Sequence, residues 1–300
     1  MIAGAREALT DMLARGPILG PGALGTELAQ RGVPTPMPLW SASALDSDPD
    51  IVRDIHAGHA DAGSQIIVAN TFRADRVTLA PLGRARETRA LNKLAVQLAR
   101  EGVARARPSH PVLVVGSVAP VADCYEPAAR PPAQTLRLEH GVRIGHLVAA
   151  GAAAAWIETM NTIEEACIAL EAAAAGNLPA AVSFCVREDG ALLSGESLRD
   201  AAAAVMGLAP LAFGVNCAAP DACLRALRSL NDTPTPPLMM APNGRGAPHP
   251  TRGWRRRWWR GASDRALVAA AAEGVRLGVQ IVGACCGTTT ETLRRLRAHL

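Results

Sequence analysis

The chain is expected to fold as a (β/α)8 TIM barrel, one domain over residues 1–300. Three observations predict this. Eight short apolar runs recur along the chain, and nearly all are followed by a segment whose apolar residues return at helical spacing. That alternation belongs to a parallel sheet covered by helices. Three hundred residues is an ordinary length for such a barrel as one unit. Finally, no glycine- or serine-rich linker divides the chain, and nothing repeats beyond the strand–helix rhythm. An open doubly wound sheet is the runner-up architecture.

The elements follow in order. Residues 1–15 form an amphipathic helix, not a charged start leading to an apolar run, so no secretory leader is expected. Residues 17–20 are the first strand, which enters Pro21-Gly22-Ala23-Leu24-Gly25-Thr26-Glu27-Leu28. Its glycines let backbone amides approach a ligand closely. A proline-rich loop ends at Leu39-Trp40-Ser41-Ala42, and residues 49–62 are helical. The strand at 65–69 ends at Asn70-Thr71-Phe72 and precedes a long helix at 84–107. The strand at 112–115 ends at Gly116-Ser117 and precedes a helix at 136–150. The strand at 154–157 ends at Glu158-Thr159, before a capped helix at 162–175 whose first turn carries Glu164 and Glu165. Strands at 180–186 and 211–215 precede helices at 198–206 and 221–230, and the second of these strands ends at Asn216-Cys217. The strand at 238–240 ends at Pro242-Asn243-Gly244, a helix covers 263–277, and the last strand, 280–282, runs into Gly283-Ala284-Cys285-Cys286-Gly287.

In such a barrel all strands point their C-terminal ends to one face, where active sites sit. Gly22 and Thr26, Asn70, Ser117, Glu158, Asn216 with Cys217, Asn243, and Cys285 with Cys286 should therefore converge. Neighbouring cysteines bond to each other only in a strained ring. Both can instead face one metal ion, with Cys217 from the sixth strand as the third thiol. Zinc takes cysteine sulfur in tetrahedral sites, and three protein ligands leave one position open. An open position among sulfurs suits a substrate thiol, which loses its proton there because the ion lowers its pKa. The product is a nucleophile. Of the other cysteines, Cys167, Cys185 and Cys223 lie within helices or a strand and are expected to be small core residues, as is Cys124 beside Tyr125.

Composition narrows the classes. Seven cysteines, an odd number, favour free thiols and metal binding in a cytoplasmic protein over a disulfide framework. The longest apolar run, 147–157, is too short to cross a bilayer, so no membrane association is expected. A net charge of +4, spread along the chain, gives no general case for nucleic acid. One run, Arg252-Gly253-Trp254-Arg255-Arg256-Arg257-Trp258-Trp259-Arg260, interleaves arginine and tryptophan. It lies between the seventh strand and its helix, where a lid or an oligomer contact is the expected use rather than single-stranded nucleic acid. His56, His59 and Asp61 are expected at helix surface and core, not at a metal.

These motifs together resemble the homocysteine S-methyltransferase family, in which a zinc-dependent barrel methylates homocysteine to methionine. The landmarks are Gly22 to Leu28, Leu39-Trp40-Ser41-Ala42, Ala69-Asn70-Thr71-Phe72, Gly116-Ser117-Val118-Ala119-Pro120, Glu158-Thr159, Gly214-Val215-Asn216-Cys217 and Gly283 to Thr289. The resemblance implies Zn2+ on Cys217, Cys285 and Cys286, and a substrate amino group on Glu158. Gly25, Thr26, Asn70 and Trp40 are the further substrate-binding candidates. The absence of a second domain for cobalamin or folate, and the Leu39–Ala42 stretch, resemble the small members that use S-methylmethionine or S-adenosylmethionine. Such sulfonium donors can face Trp40 through cation–π attraction. Betaine, a quaternary ammonium donor, ranks lower because Tyr125 is the chain's one tyrosine. The chain departs from the family at Pro21, where members usually carry an Asp that joins Glu158 around the ammonium. Another thiol acceptor, or a zinc- and thiol-binding barrel without transferase activity, is the alternative that this departure raises.

Overall fold

A computed structural model of the chain describes residues 4–231, 233–245 and 262–300. The Trp/Arg run at 252–260 lies outside them. Eight strands alternate with helices: β1 Ile18–Leu19, β2 Ile66–Ala69, β3 Leu113–Val118, β4 Ala155–Met160, β5 Ala180–Phe184, β6 Phe213–Asn216, β7 Leu238–Ala241 and β8 Val279–Val282. They form a parallel sheet in the order β1-β8-β7-β6-β5-β4-β3-β2. The seam between β1 and β2 is drawn together just beyond the strand ends. The Gln65 amide donates to Leu19 O at 2.9 Å, and the Ser64 hydroxyl donates to Gly20 O at 2.6 Å. The sheet is thus a nearly closed (β/α)8 barrel.

Side chains alternate across each strand because the strand period is two. One set, including Ile18, Ile66, Val115, Trp156, Met239 and Ile281, fills the barrel. Leu9 and Met12 of the helix Gly4–Leu13 join this set, so the amphipathic first helix plugs the barrel's N-terminal end. The alternate set, including Leu19, Ile67, Ile157, Val182 and Val282, packs outward under the helices in the larger core. A third cluster sits at the opposite, C-terminal end: Trp40, Cys124, Tyr125, Cys185, Leu193, Cys217 and Cys286, with Phe72 and Cys285 against it.

Several boundaries differ from the sequence expectation. The first strand is only two residues long. The strand expected at 154–157 continues to Met160, with a register slip between Ile157 and Met160 and with Thr159 at φ +59°. The helix expected from residue 84 begins at Thr88, after a 3-10 turn at Ala85–Glu87. A helix at Gly25–Gln30 and a 3-10 turn at Trp40–Ser43 were not expected. Both lie in glycine- and proline-rich sequence that reads as loop, and both are held by tertiary packing.

Candidate active site at the barrel mouth

The three expected thiols meet. Cys217 Sγ lies 3.6 Å from Cys286 Sγ, and Cys285 Sγ lies 4.0 Å from Cys286 Sγ. All three sulfurs fall within 4.8 Å of one another, and among the described residues no other such group of three metal-ligating side chains occurs. All are free thiols. The local backbone explains the convergence. Cys217 leaves β6 in the left-handed region, at φ +55°, and its amide donates to Ala241 O at 3.0 Å. After β8, the amides of Ala284 and Cys285 donate to Pro21 O and Pro242 O, each at 2.8 Å. The chain turns at Gly287, φ +78°, whose amide donates to Thr26 Oγ1 at 2.9 Å. The glycine-rich stretch after β1 therefore serves as the splint for the cysteine loop.

Asn216 lines the cavity beside Cys285, as expected, and also braces the neighbouring strands. Its Oδ1 accepts from the Thr159 amide and the Ser183 hydroxyl, both at 2.8 Å, and its Nδ2 donates to Thr159 Oγ1 at 2.9 Å. One side chain thus ties β4, β5 and β6 together directly below Cys217.

The trio fits a tetrahedral metal ion. Sulfurs bonded at about 2.3 Å to a tetrahedral centre stand about 3.8 Å apart, and the two closest pairs here bracket that value at 3.6 and 4.0 Å. The electrostatics agree. Hydrogen bonds from Cys217 and Cys286 hold the Cys285 thiol well below the ordinary range. Hydrogen bonds with Cys285 and Cys286, together with burial, push Cys217 well above it. A divalent cation held among the three sulfurs would favour the deprotonated form of all three.

Beside the sulfurs opens a cavity of about 920 Å³ including its mouth. Glu158, Asn70, Gly25, Thr26 and Trp40 all line it. Ser117 Oγ donates to Glu158 Oε1 at 2.5 Å. Burial pushes the Glu158 carboxyl up to about 8, the charge on Cys285 adds to this, and the Ser117 bond opposes it. A carboxyl in that state is set to gain from a cationic partner. Asn70 Nδ2 donates to Ser41 O at 2.7 Å, which leaves Oδ1 buried and without a partner. Trp40 packs edge-on to Phe72, with ring centroids 5.8 Å apart. Its indole lies across Gly25, where an added Cβ would come within 2.3 Å of the ring, so only glycine permits this placement.

Pro21 brings no acid to the cavity, and Glu27 does not replace one. Glu27 points away, bonded to His59 Nε2 at 3.0 Å, to Arg31, and to the amide and hydroxyl of Thr290. Burial pushes its carboxyl up, but these partners outweigh burial and hold it at about 2. His56 and His59 are buried and Asp61 is exposed, so they form no metal cluster.

Tyr125 is the site residue that sequence reasoning missed. Its Oη lies 2.9 Å from Cys217 Sγ, and it lines the cavity. Burial, and then the nearby thiols, push its phenol well above the ordinary range, so it stays protonated. The available signal was its place after β3, on the functional face. Cys124 also lines the cavity, and Cys185 Sγ donates to Cys217 O at 3.4 Å, so two of the expected core cysteines border the site. Cys223 is plain core, and Cys167 is half-buried away from the site.

Comparison with known proteins agrees with this geometry. The profile of the family described as homocysteine S-methyltransferase matches residues 18–300. The homocysteine S-methyltransferase of Escherichia coli (strain K12) is 29% identical over 292 residues, 93% of each chain. Homocysteine S-methyltransferase 2 of Zea mays is 29% identical over 302 residues, covering 93% of this chain and 88% of that one. Among solved structures, the metallated form of the Escherichia coli homocysteine methyltransferase matches with a TM-score of 0.85 at 27% identity, over 98% of this chain and 100% of that one.

Proposed function

The chain belongs to the homocysteine S-methyltransferase family and is a methyltransferase, and on that premise we propose that it moves a methyl group from a sulfonium donor to the thiol of homocysteine, giving methionine. The carrying observation is the trio of Cys217, Cys285 and Cys286, with sulfurs within 4.8 Å, opening on a cavity that also holds Glu158. Zinc held by these three sulfurs would supply the positive charge that lowers the acceptor thiol's pKa and keeps the resulting thiolate in place.

The chain's own residues do the rest. Glu158, one oxygen fixed by Ser117, and the unpartnered Oδ1 of Asn70 take the acceptor's ammonium. The N–H groups of Gly25 and Thr26, at the start of a helix with no capping side chain, take its carboxylate. Trp40 lines the cavity together with Phe72, and cation–π attraction to its indole favours a sulfonium donor. The acceptor sulfur attacks the methyl carbon in line, the donor's carbon–sulfur bond breaks, and the electron pair stays on the donor sulfur. That sulfide leaves neutral, so no general acid is required. Positioning of the two sulfurs carries much of the rate. The free thiols support a cytoplasmic setting, and no helix among the described residues is long and apolar enough to cross a membrane.

The test is methionine formation by the purified, zinc-loaded protein from homocysteine with S-methylmethionine, S-adenosylmethionine or betaine, each in turn. We expect turnover with a sulfonium. A second reading, a zinc- and thiol-binding barrel without turnover or one acting on another thiol, has Pro21 and the averted Glu27 in its favour. Silence with every donor at full metal occupancy decides for it. If the missing acid matters, Pro21→Asp should tighten homocysteine binding.

A further inference from the structure

Tyr125 is the chain's one tyrosine, and its hydroxyl has come to rest 2.9 Å from a single sulfur of the trio. The contact is built, not incidental. Its loop follows β3 and is fastened at several points. The Val121 amide donates to Glu165 Oε1 at 2.7 Å, and Arg143 donates to Ala119 O. Asn161 Nδ2 donates to Cys124 O at 3.1 Å, and the Tyr125 amide donates to Asp123 Oδ1 at 2.9 Å. The ring is buried, packed with Trp40, Cys124 and Cys185.

The direction of the bond follows from the chemistry. A sulfur that has given up its proton to bind a cation has only lone pairs to offer, so the proton of this contact belongs to the phenol. We propose that Tyr125 is a positioning residue for the transfer: it donates to Cys217 Sγ, draws negative charge from that ligand alone, and so leaves a bound cation more positive toward the acceptor thiol. This rests on the zinc and homocysteine reading above. Cys285 is paired with the Asn216 side chain and the Cys286 amide as well as with thiols, and the phenol faces Cys217, so the three ligands are electronically unequal. Partners behind metal ligands of this kind are typically worth roughly 10- to 100-fold in affinity or activity.

The experiment uses cobalt(II) as the probe in the full chain, comparing the unaltered protein with Tyr125→Phe, which keeps the ring. The sulfur-to-cobalt charge-transfer band should move to lower energy in the variant, because the sulfur has lost a hydrogen bond. The cobalt content should stay at one per chain. In the zinc form, KM for homocysteine should rise about tenfold while kcat changes far less. An unmoved band with an unmoved KM overturns the proposal, and so does a variant that no longer retains cobalt, since the tyrosine would then be structural. If homocysteine leaves the cobalt spectrum of the unaltered protein unchanged, the reading of the site itself fails; a normal response there, with no effect of Tyr125→Phe, fails this inference alone.

Discussion

At the scale of single residues, the site pairs three converging sulfurs, one of them held well below the ordinary thiol range, with one carboxyl pushed up to about 8. Each side is short of a cation, and a metal ion and an ammonium meet the two needs separately. Glu158→Gln keeps the shape and can still accept from Ser117, but it removes the charge. It should raise KM for homocysteine roughly ten- to a hundredfold, the worth of a charged hydrogen bond, with kcat changed far less. Steady-state kinetics at full metal occupancy check this; a variant with unchanged KM would move the ammonium elsewhere in the cavity. The sulfurs and Glu158 were legible in the sequence because each ends, or closely follows, an apolar strand, and strand ends on one face have no freedom to diverge. Tyr125 was not, because a loop position fixes the face but not the neighbour. Nor was the orientation of Glu27, which is set by His59 and Thr290, 32 and 263 residues away in sequence.

At the scale of elements, the mouth is stiffened by contacts that strand periodicity does not announce. Asn216 ties three strands, and Thr26 binds the first βα loop to the last. The helix Pro49–Asp61 shows another such contact. It carries His56 at 1% exposure, with neither ring nitrogen partnered. The opposing helix Thr88–Ala106 makes room for it with Gly102, where an added Cβ would lie 2.7 Å from His56 Cβ. Burial, with nearby His59 adding to it, pushes His56 down to about 3. The unfolded chain therefore takes up a proton near pH 6.5 that the folded chain refuses. Stability is full above that pH and falls as acid is added toward pH 3. By pH 5 the loss is about 2 kcal/mol. Buried His140, lowered by burial against the opposing pull of Glu165, acts in the same sense. Urea unfolding from pH 7 to 5 should show the decline, and His56→Leu should make it shallower. An equally steep decline in the variant would clear His56 of the effect.

At the scale of the whole molecule, the barrel carries the chemistry by bringing distant segments of chain to one end. The count of eight strand–helix units and the length were enough to infer it. The two-residue β1 and its seam with β2 were not readable, because closure there rests on the Gln65 and Ser64 bonds and not on a long ladder. The N-terminal helix announced its amphipathicity in sequence, but its use as a plug follows only from where Leu9 and Met12 come to lie. The plugged end leaves the opposite end as the entrance, with the sulfurs on its rim. The central claim, that these three sulfurs hold one metal ion with a position left for the acceptor thiol, is tested most directly by zinc-edge X-ray absorption of the loaded protein with and without homocysteine. Three sulfurs per zinc at about 2.3 Å, rising to four when homocysteine is added, is the expected result. Fewer than three sulfurs, or a count that homocysteine does not change, would contradict it.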